Sequence, residues 1–162
     1  GVGSVARREK SFVKPSPPGW PRISSSVFYD DAAKAIDWLC KAFEFEVILK
    51  VENDDGRIEH SELRYGDGLI MVGQAERDGE RAWAKSPRSL GGANTQSLFA
   101  YVDDIEAHCA HARAAGAKII TEPKTSDYGE DYWTDRSYQA EDPEGHRWWF
   151  AQRLRNPRTD AR

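Results

Sequence analysis

The sequence predicts an α+β fold built from two similar modules, because one pattern of elements occurs twice along the chain. The repeated segments are VFYDDAAKAIDWLCKAFEFEVILK, from Val27 to Lys50, and AYVDDIEAHCAHARAAGAKIITE, from Ala100 to Glu122. Each begins with an apolar strand, continues with an Asp-Asp pair and a helix, and ends with another strand. Further strand-like runs joined by a tight turn follow in both halves. The predicted order in each module is therefore strand, helix, strand, strand, strand.

The two helices are predicted from their first residues and from the spacing of their apolar side chains. An aspartate stands at each helix start, where its carboxylate satisfies free backbone N–H groups. Apolar side chains then recur at helical spacing, and Gly116 follows the second helix as a predicted C-cap. The residues concerned are Asp30-Asp31, Ile36, Leu39, Cys40 and Phe43 in the first helix, and Asp103-Asp104, Ile105, Cys109 and Ala112 in the second.

The remaining strands are predicted from two turn signals. Gly66-Asp67-Gly68 interrupts HSELRYGDGLIMVG, and DPEG interrupts SYQAEDPEGHRWWFA. One domain is predicted over residues 22–152, with modules 22–74 and 96–152, a connector 75–95, and basic tails at 1–21 and 153–162. A half of this size buries too little surface to fold alone, so the modules must pack together. We expect a cupped mixed sheet with a cavity suited to a ligand.

Charge and composition narrow the classes of partner. The net charge is −4, and residues 1–22 and 153–162 carry +4 and +3, which leaves −11 for the body between them. An acidic body repels phosphate backbones, so we expect no nucleic-acid partner. No apolar run has the length of a membrane span, and no secretory pattern opens the chain, so we expect no membrane association, a cytoplasmic location and reduced cysteines.

The layout resembles the vicinal oxygen chelate superfamily of glyoxalases, bleomycin-resistance proteins and dioxygenases. The pieces that carry the resemblance are FYDDAAKAIDWLCKAF, SELRYGDGLIMVG, SPRSLGG, YVDDIEAHCAHARAAGA and DPEGHRWWF. Within the superfamily, HSELRYGD, SPRSLGG and DPEGHRW look most like the PhnB-like branch. The resemblance implies a glyoxalase-like fold of two βαβββ modules, and ligand burial between two subunits of a homodimer.

Metal-using members of this superfamily place four ligands in the cavity, one on the first strand and one on the last strand of each module. Carried over to this chain, those positions fall on Ser24, Val72, Ser97 and Trp149. Serine hydroxyls are poor ligands for transition metals, and valine and tryptophan bind none. We therefore predict no metal and no cofactor.

Strand alternation then predicts which side chains face the cavity with Trp149. Ile70 and Val72 would join the aromatic and hydroxyl side chains of the first strands, and these side chains either bind a flat or apolar ligand or fill the cavity as plain core. The predicted ligand-binding residues are Ser24, Phe28, Ser97, Phe99, Tyr101, Arg147 and Trp149.

The histidines and one aromatic loop are further candidates. His60 and Glu62 lie two apart on one strand and are weak candidates for a general acid/base pair, provided that the strand register turns them to the cavity. His108 and His111 are predicted on a solvated helix surface, and His146 as hydrogen-bonded structure near the turn. The segment SDYGEDYWTDRSY, residues 126–138, is predicted as a loop that either closes over a ligand or caps the core edge.

Three functions are compatible with these residues. The first is a metal-independent protein that binds an aromatic or apolar small organic molecule, including antibiotic-like molecules. The second is a small-molecule lyase, isomerase or dioxygenase-like enzyme acting through His60 and Glu62. The third is a scaffold or regulatory interaction module. A shared fold does not choose between them.

Overall fold

The computed structural model describes residues 3, 4, 6 and 13–158 and confirms the α+β architecture of two modules. The first module contains strand β1 (Ser25–Tyr29), helix α1 (Ala32–Phe43) and strands β2 (Glu46–Glu52), β3 (Ile58–Tyr65) and β4 (Gly68–Gln74). The second contains strand β5 (Leu98–Tyr101), helix α2 (Ile105–Ala114) and strands β6 (Lys118–Asp127), β7 (Thr134–Glu141) and β8 (Arg147–Arg155). A short 3₁₀ helix, Pro87–Leu90, lies between the modules.

The two modules have the same sheet topology. The strand order is β1-β4-β3-β2 in one sheet and β5-β8-β7-β6 in the other. The first strand of each module runs parallel to the last, and the remaining pairs are antiparallel. Both helices begin as predicted: Asp31 accepts from Lys34 N, and Asp104 accepts from Ala107 N, each at 3.1 Å. Gly116 has a φ of 100° just after α2, a conformation that glycine adopts without strain.

Two predicted segments differ from the structure. The aromatic segment 126–138 is a loop only over residues 128–133, because β6 and β7 take up its ends. Strand β8 continues to Arg155, so the residues from 153 onward begin as sheet and not as a tail. Of the predicted N-terminal tail, residues 1, 2, 5 and 7–12 lie outside the described part of the chain, and Trp20 N donates to Pro17 O in a turn.

The hydrophobic core joins the two modules. The Phe43 ring of α1 packs against Phe150 and Trp148 of β8, with ring centroids 4.7 and 5.1 Å apart. His108 of α2 belongs to the same cluster, with its ring 4.3 Å from that of Phe150. The prediction that His108 lies on a solvated surface is wrong, since only 5% of it is exposed. His111 is exposed, and its Nε2 lies 2.6 Å from Lys41 O.

The DPEG turn is held by buried carboxylates. Asp142 Oδ2 accepts from the Tyr29 hydroxyl at 2.6 Å and from Trp148 Nε1 at 3.0 Å. Burial, together with the charge of Asp142, raises the pKa of the Tyr29 phenol well above its ordinary value. The turn of the second module is thereby fixed to the first strand of the first module.

Each sheet has one face toward this core and one face away from it, which we call the open face. Paired residues on neighbouring strands share a face, and successive residues alternate. Val27 pairs with Val72 on the core face of the first sheet, and Tyr138 pairs with Phe150 on the core face of the second. No helix among the described residues has the length and apolar character needed to cross a membrane.

Candidate ligand-binding site

Three aromatic side chains lie together on the open face of the second sheet, and we call them the aromatic face. Phe99 of β5 pairs with Trp149 of β8, with ring centroids 5.8 Å apart, and the Tyr101 ring lies 5.1 Å from that of Phe99. The exposed fractions are 50% for Phe99, 47% for Tyr101 and 37% for Trp149. Large apolar rings are seldom left in water together without a reason, so this surface is suited to stacking against a planar molecule.

A guanidinium group is fixed at one end of the aromatic face. Arg153 donates through Nε to Asp135 Oδ1 at 2.7 Å, and through Nη2 to the Tyr101 hydroxyl. Tyr101 in turn donates to Asp135 Oδ2 at 3.1 Å, and burial raises the pKa of its phenol. The Arg153 Cζ atom lies 5.1 Å from the Trp133 ring centroid, within cation–π distance. The buried Asp135 carboxylate therefore compensates the charge and holds both side chains in place.

The open face of the first sheet carries His60 and Glu62. Glu62 pairs with Met71 across β3 and β4, and Met71 pairs with Ser26 across β4 and β1, so these residues share a face. His60 Nε2 lies 2.7 Å from Glu62 Oε2, and both side chains are partly exposed. The pair is accessible to a small molecule on this face.

The prediction that Val72 faces the cavity is wrong. Val72 is 1% exposed and pairs with Val27 on the core face. Its neighbours Met71 and Gly73 occupy positions on the open face. Ile70 also belongs to the core, although one side of it reaches a cavity between the modules. The prediction failed by one residue of register, which is enough to exchange the two faces of a strand.

Residues of β1 line two cavities, and Gln96 of the second cavity donates through Nε2 to Ser25 Oγ of the first at 2.9 Å. The first, the seam cavity, has a volume of about 480 Å³ and is lined by Ser24, Phe99 and Tyr101 together with Tyr65. The Ser24 hydroxyl is buried in the described structure without a hydrogen-bond partner. A ligand atom in this cavity would supply that partner.

The second cavity, the connector cavity, has a volume of about 440 Å³ and lies between β1 and the residues that link the modules. Phe28 lines it, as do Trp83 and His146. His146 Nε2 lies 2.6 Å from Phe28 O, which agrees with its predicted place in hydrogen-bonded structure near the turn.

The structure thus brings some of the predicted ligand-binding residues together and separates others. Phe99, Tyr101 and Trp149 form the aromatic face, and Ser24 lies beside two of them in the seam cavity. Phe28 lines the connector cavity instead. Two predicted residues lie at the margins. Ser97 is exposed just before β5, and Arg147 has its Nε 3.5 Å from Glu141 Oε1.

Asp135 and Arg153 were not predicted as site residues. Arg153 follows the predicted end of the domain and was counted with the basic tail, and Asp135 falls in the segment predicted as a loop. No local signal in the sequence identifies them, because Asp135 and Arg153 meet only through the pairing of β7 with β8.

The sequence matches the model of one protein family over most of its length. The model described as the Glyoxalase/Bleomycin resistance protein/Dioxygenase superfamily matches residues 22–150. The chain belongs to this superfamily. An uncharacterized protein of Mycobacterium tuberculosis is 31% identical over 140 residues, covering 86% of this chain and 79% of that protein. A protein of Mycobacterium bovis has the same identity over 140 residues and is covered to 88%.

Solved structures of other proteins share the fold. TioX from Micromonospora sp. ML1 is 28% identical with a TM-score of 0.62, covering 82% of this chain and 95% of that chain. The fosfomycin resistance protein FosX from Listeria monocytogenes is 12% identical with a TM-score of 0.57, covering 82% and 93%. At that identity FosX shows the common fold alone.

The residues of this superfamily member do not fit the metal that its metal-using relatives hold on paired first and last strands. The positions carried over from those relatives hold Ser24, Val72, Ser97 and Trp149. The open-face pairs beside them are Ser26 with Met71 and Phe99 with Trp149. A hydroxyl, a thioether and two aromatic rings do not form a ligand set for a divalent transition metal. Within the described residues, no group of three or more His, Cys, Asp or Glu side chains has a metal-binding arrangement.

Proposed function

We propose that this protein binds an aromatic or apolar small molecule without a metal ion, in the manner of a sequestering protein, and that antibiotic-like molecules are among its ligands. The observation that carries the proposal is the aromatic face, where the Phe99 ring contacts the other two rings and all three remain accessible to solvent. Stacking against such rings and removing apolar surface from water both favour binding of a planar molecule. The buried Ser24 hydroxyl adds a hydrogen-bonding group beside the rings.

Two copies of the chain enclose the ligand in this proposal. Within a single chain, the second sheet lies behind the aromatic face, and the three rings remain between 37% and 50% exposed. The edge strand β2 is also exposed along its whole length, although it contains Val47, Leu49 and Val51. Exposed apolar surfaces of this kind are typical of association sites. Sedimentation should give twice the 18.3 kDa mass of the chain, and bound ligand should strengthen the association.

We assign the chain to the PhnB-like branch as part of this proposal. The support is the order of HSELRYGD, SPRSLGG and DPEGHRW along the sequence. Two of these pieces are in contact, since Ser86 of SPRSLGG donates to Glu144 of DPEGHRW at 2.6 Å.

Trp149→Ala tests the binding function. A library of aromatic natural products and antibiotics is screened by thermal shift, and each compound that stabilises the protein is titrated by calorimetry. The substitution should raise Kd about tenfold, because one stacking surface is lost. Leu154→Ala is the control, since Leu154 is similarly exposed on the same strand but makes no ring contact with the aromatic face. A library without any stabilising compound, or equal Kd values for both variants, would reject the proposal.

A second candidate function is a small-molecule enzyme, and the contact between His60 and Glu62 favours it. A carboxylate 2.7 Å from an imidazole nitrogen fixes the orientation of the ring, and proton transfer by a positioned side chain is the basis of general acid/base chemistry. Compounds that bind are incubated with the protein and followed by mass spectrometry. Turnover that is lost in both His60→Gln and Glu62→Gln, with folding intact, would establish this function. Turnover that survives in both variants would reject it.

A further inference from the structure

The connector cavity differs in charge from the rest of the protein. Arg81 and Lys85 line it, and no aspartate or glutamate within the described residues does so. The body of the chain between the two basic ends nevertheless carries a net charge of −11. A concave surface with two cations and no carboxylate concentrates a positive potential, which attracts anions.

The positive charge of Arg81 is not compensated by a neighbouring acid. Its guanidinium makes no ion pair with a described residue, and its Cζ lies 5.7 Å from the centroid of the Phe28 ring. Lys85 donates one N–H from Nζ to Glu76 O at 2.7 Å, which leaves two of its three donors for another acceptor. Both cations therefore have donors available inside the cavity.

The cations beside the cavity behave differently. In the neighbouring surface depression, Arg57 Nη2 lies 2.7 Å from Glu76 Oε2, and Arg88 Nε lies 3.2 Å from Asp30 Oδ2. Arg57 and Arg88 are thus each paired with an acid. Arg81, in contrast, has no aspartate or glutamate beside it among the described residues that line the connector cavity.

Two aromatic rings form a second part of the same cavity. The Phe28 and Trp83 rings meet edge to face with centroids 5.4 Å apart. Trp83 is 68% exposed, a large fraction for a tryptophan side chain. A planar molecule that stacks on Trp83 would cover it and would still reach Arg81 and Lys85 with a charged group. The volume of about 440 Å³ is that of a small-molecule site.

We infer that the connector cavity is a binding site for a planar aromatic anion, such as an aromatic carboxylate. Arg81 and Lys85 bind its charged group, and Phe28 and Trp83 contact its ring. The site is complete within one chain and separate from the aromatic face. The inference therefore does not depend on the proposed function.

A pair of probes that differ only in charge tests the inference. Calorimetry compares 2-naphthoate with 2-naphthamide on the full chain. The carboxylate should bind at least about tenfold more tightly, because it accepts charge-assisted hydrogen bonds. Raising the salt concentration from about 50 mM to about 500 mM should weaken binding of 2-naphthoate and leave binding of 2-naphthamide unchanged.

Three variants locate the site. Arg81→Gln should weaken binding of 2-naphthoate about tenfold without changing the affinity for 2-naphthamide. Trp83→Ala should weaken binding of both probes. Arg77→Gln is the matched control, since Arg77 is an exposed arginine in the neighbouring depression and does not line the cavity. It should leave both affinities unchanged. If Trp149→Ala weakens binding of 2-naphthoate and Arg81→Gln does not, the probe binds at the aromatic face and the inference is wrong.

The outcomes that overturn the inference are specific. The inference is wrong if neither probe binds at about 5 mM or if the two probes bind equally. It is also wrong if Arg77→Gln weakens binding of 2-naphthoate as much as Arg81→Gln does. The last result would mean that diffuse surface charge, and not the connector cavity, holds the anion.

Discussion

Glu144 accepts a hydrogen bond from the Ser86 hydroxyl at 2.6 Å, although 58 positions separate the two residues. The same carboxylate accepts from the backbone N–H groups of Asp30 at 2.7 Å and Asp31 at 3.0 Å, just before α1. One buried side chain thus joins the DPEG turn, the connector and the start of the first helix. Because Ser86 lies next to the residues that line the connector cavity, Glu144 also fixes one wall of that cavity.

Replacing Glu144 with glutamine should destabilise the fold. The amide retains one acceptor oxygen, but it turns an NH₂ group toward N–H donors that now lack an acceptor. Charge-assisted hydrogen bonds of buried groups contribute more than neutral ones, so we expect the free energy of unfolding to fall by about 1–3 kcal/mol. Urea denaturation followed by circular dichroism measures the change.

The control for this loss is Glu130→Gln. Glu130 lies 2.9 Å from Arg158, but both side chains are largely exposed. Exposed ion pairs contribute little, so the change should stay within about 0.5 kcal/mol. Equal losses in the two variants would contradict a special role for Glu144.

The repeated elements were predictable because local signals determine them. Asp31 and Asp104 cap the helices as their positions indicated. The face of Val72 was not predictable from the glycine at each turn. Gly68 already pairs with Tyr65 in the ladder, whereas the second ladder begins only where Glu141 pairs with Arg147, beyond Gly145. The turn lengths differ, and the faces of the following strands shift with them.

Contacts between distant elements limited the rest of the prediction. The helical position of His108 beside the apolar stripe fits a surface residue equally well, and only the packing of Phe43 and Phe150 from other elements shows that it is buried. The aromatic face was predictable from alternation in β5 and β8. The compensating charges of Asp135 and Arg153 depend on the pairing of β7 with β8, which spacing alone does not reveal.

His108 should make the fold sensitive to acid. Its Nδ1 lies 2.6 Å from the Tyr138 hydroxyl, and burial lowers the pKa of the imidazole although the charge of Glu44 opposes the shift. The folded state therefore favours the neutral ring. Above the ordinary histidine pKa of about 6.5 both states are neutral, and stability does not depend on this group. Below it the unfolded state binds the proton more readily, so stability falls as the pH falls toward the lowered pKa.

Urea midpoints between about pH 8 and about pH 5 measure this dependence. His108→Phe removes the titrating group and keeps a ring in the aromatic cluster, so the acid-side slope should become shallower even if stability changes at every pH. His111→Gln is the comparison variant, because it removes an exposed histidine of the same helix and leaves the buried His108 ring in place. A slope that is unchanged in His108→Phe would show that other groups control the acid response.

Removing metal ions should not affect ligand binding. The resemblance places the metal ligands at Ser24, Val72, Ser97 and Trp149. Neither these side chains nor the neighbouring open-face pairs, Ser26 with Met71 and Phe99 with Trp149, form a ligand set. After treatment with EDTA and dialysis, Kd for a compound found in the library screen should remain within about twofold of its original value. If affinity falls and one equivalent of zinc, nickel, manganese or iron restores it, metal-independent binding is wrong.

Arg153→Lys should weaken ligand binding at the aromatic face while the charge is retained. The guanidinium of Arg153 reaches Asp135 and Tyr101 at once and lies over the Trp133 ring, and a single ammonium group cannot reproduce this planar fork. Tyr101 then loses one of the two contacts that hold its hydroxyl. We expect Kd for an aromatic ligand to rise about three- to tenfold, measured by calorimetry.

The matched control is Arg136→Lys. Arg136 lies on the neighbouring strand β7 and pairs with Glu106, but it occupies the face opposite to Asp135. This substitution also replaces a guanidinium by an ammonium group, so it should leave Kd unchanged if the effect belongs to the aromatic face. Because Trp133 contacts Arg153, its indole N–H resonance should shift in Arg153→Lys and stay in place in the control. A shift of this resonance without a change in Kd would mean that the Arg153 network supports the sheet but does not take part in binding.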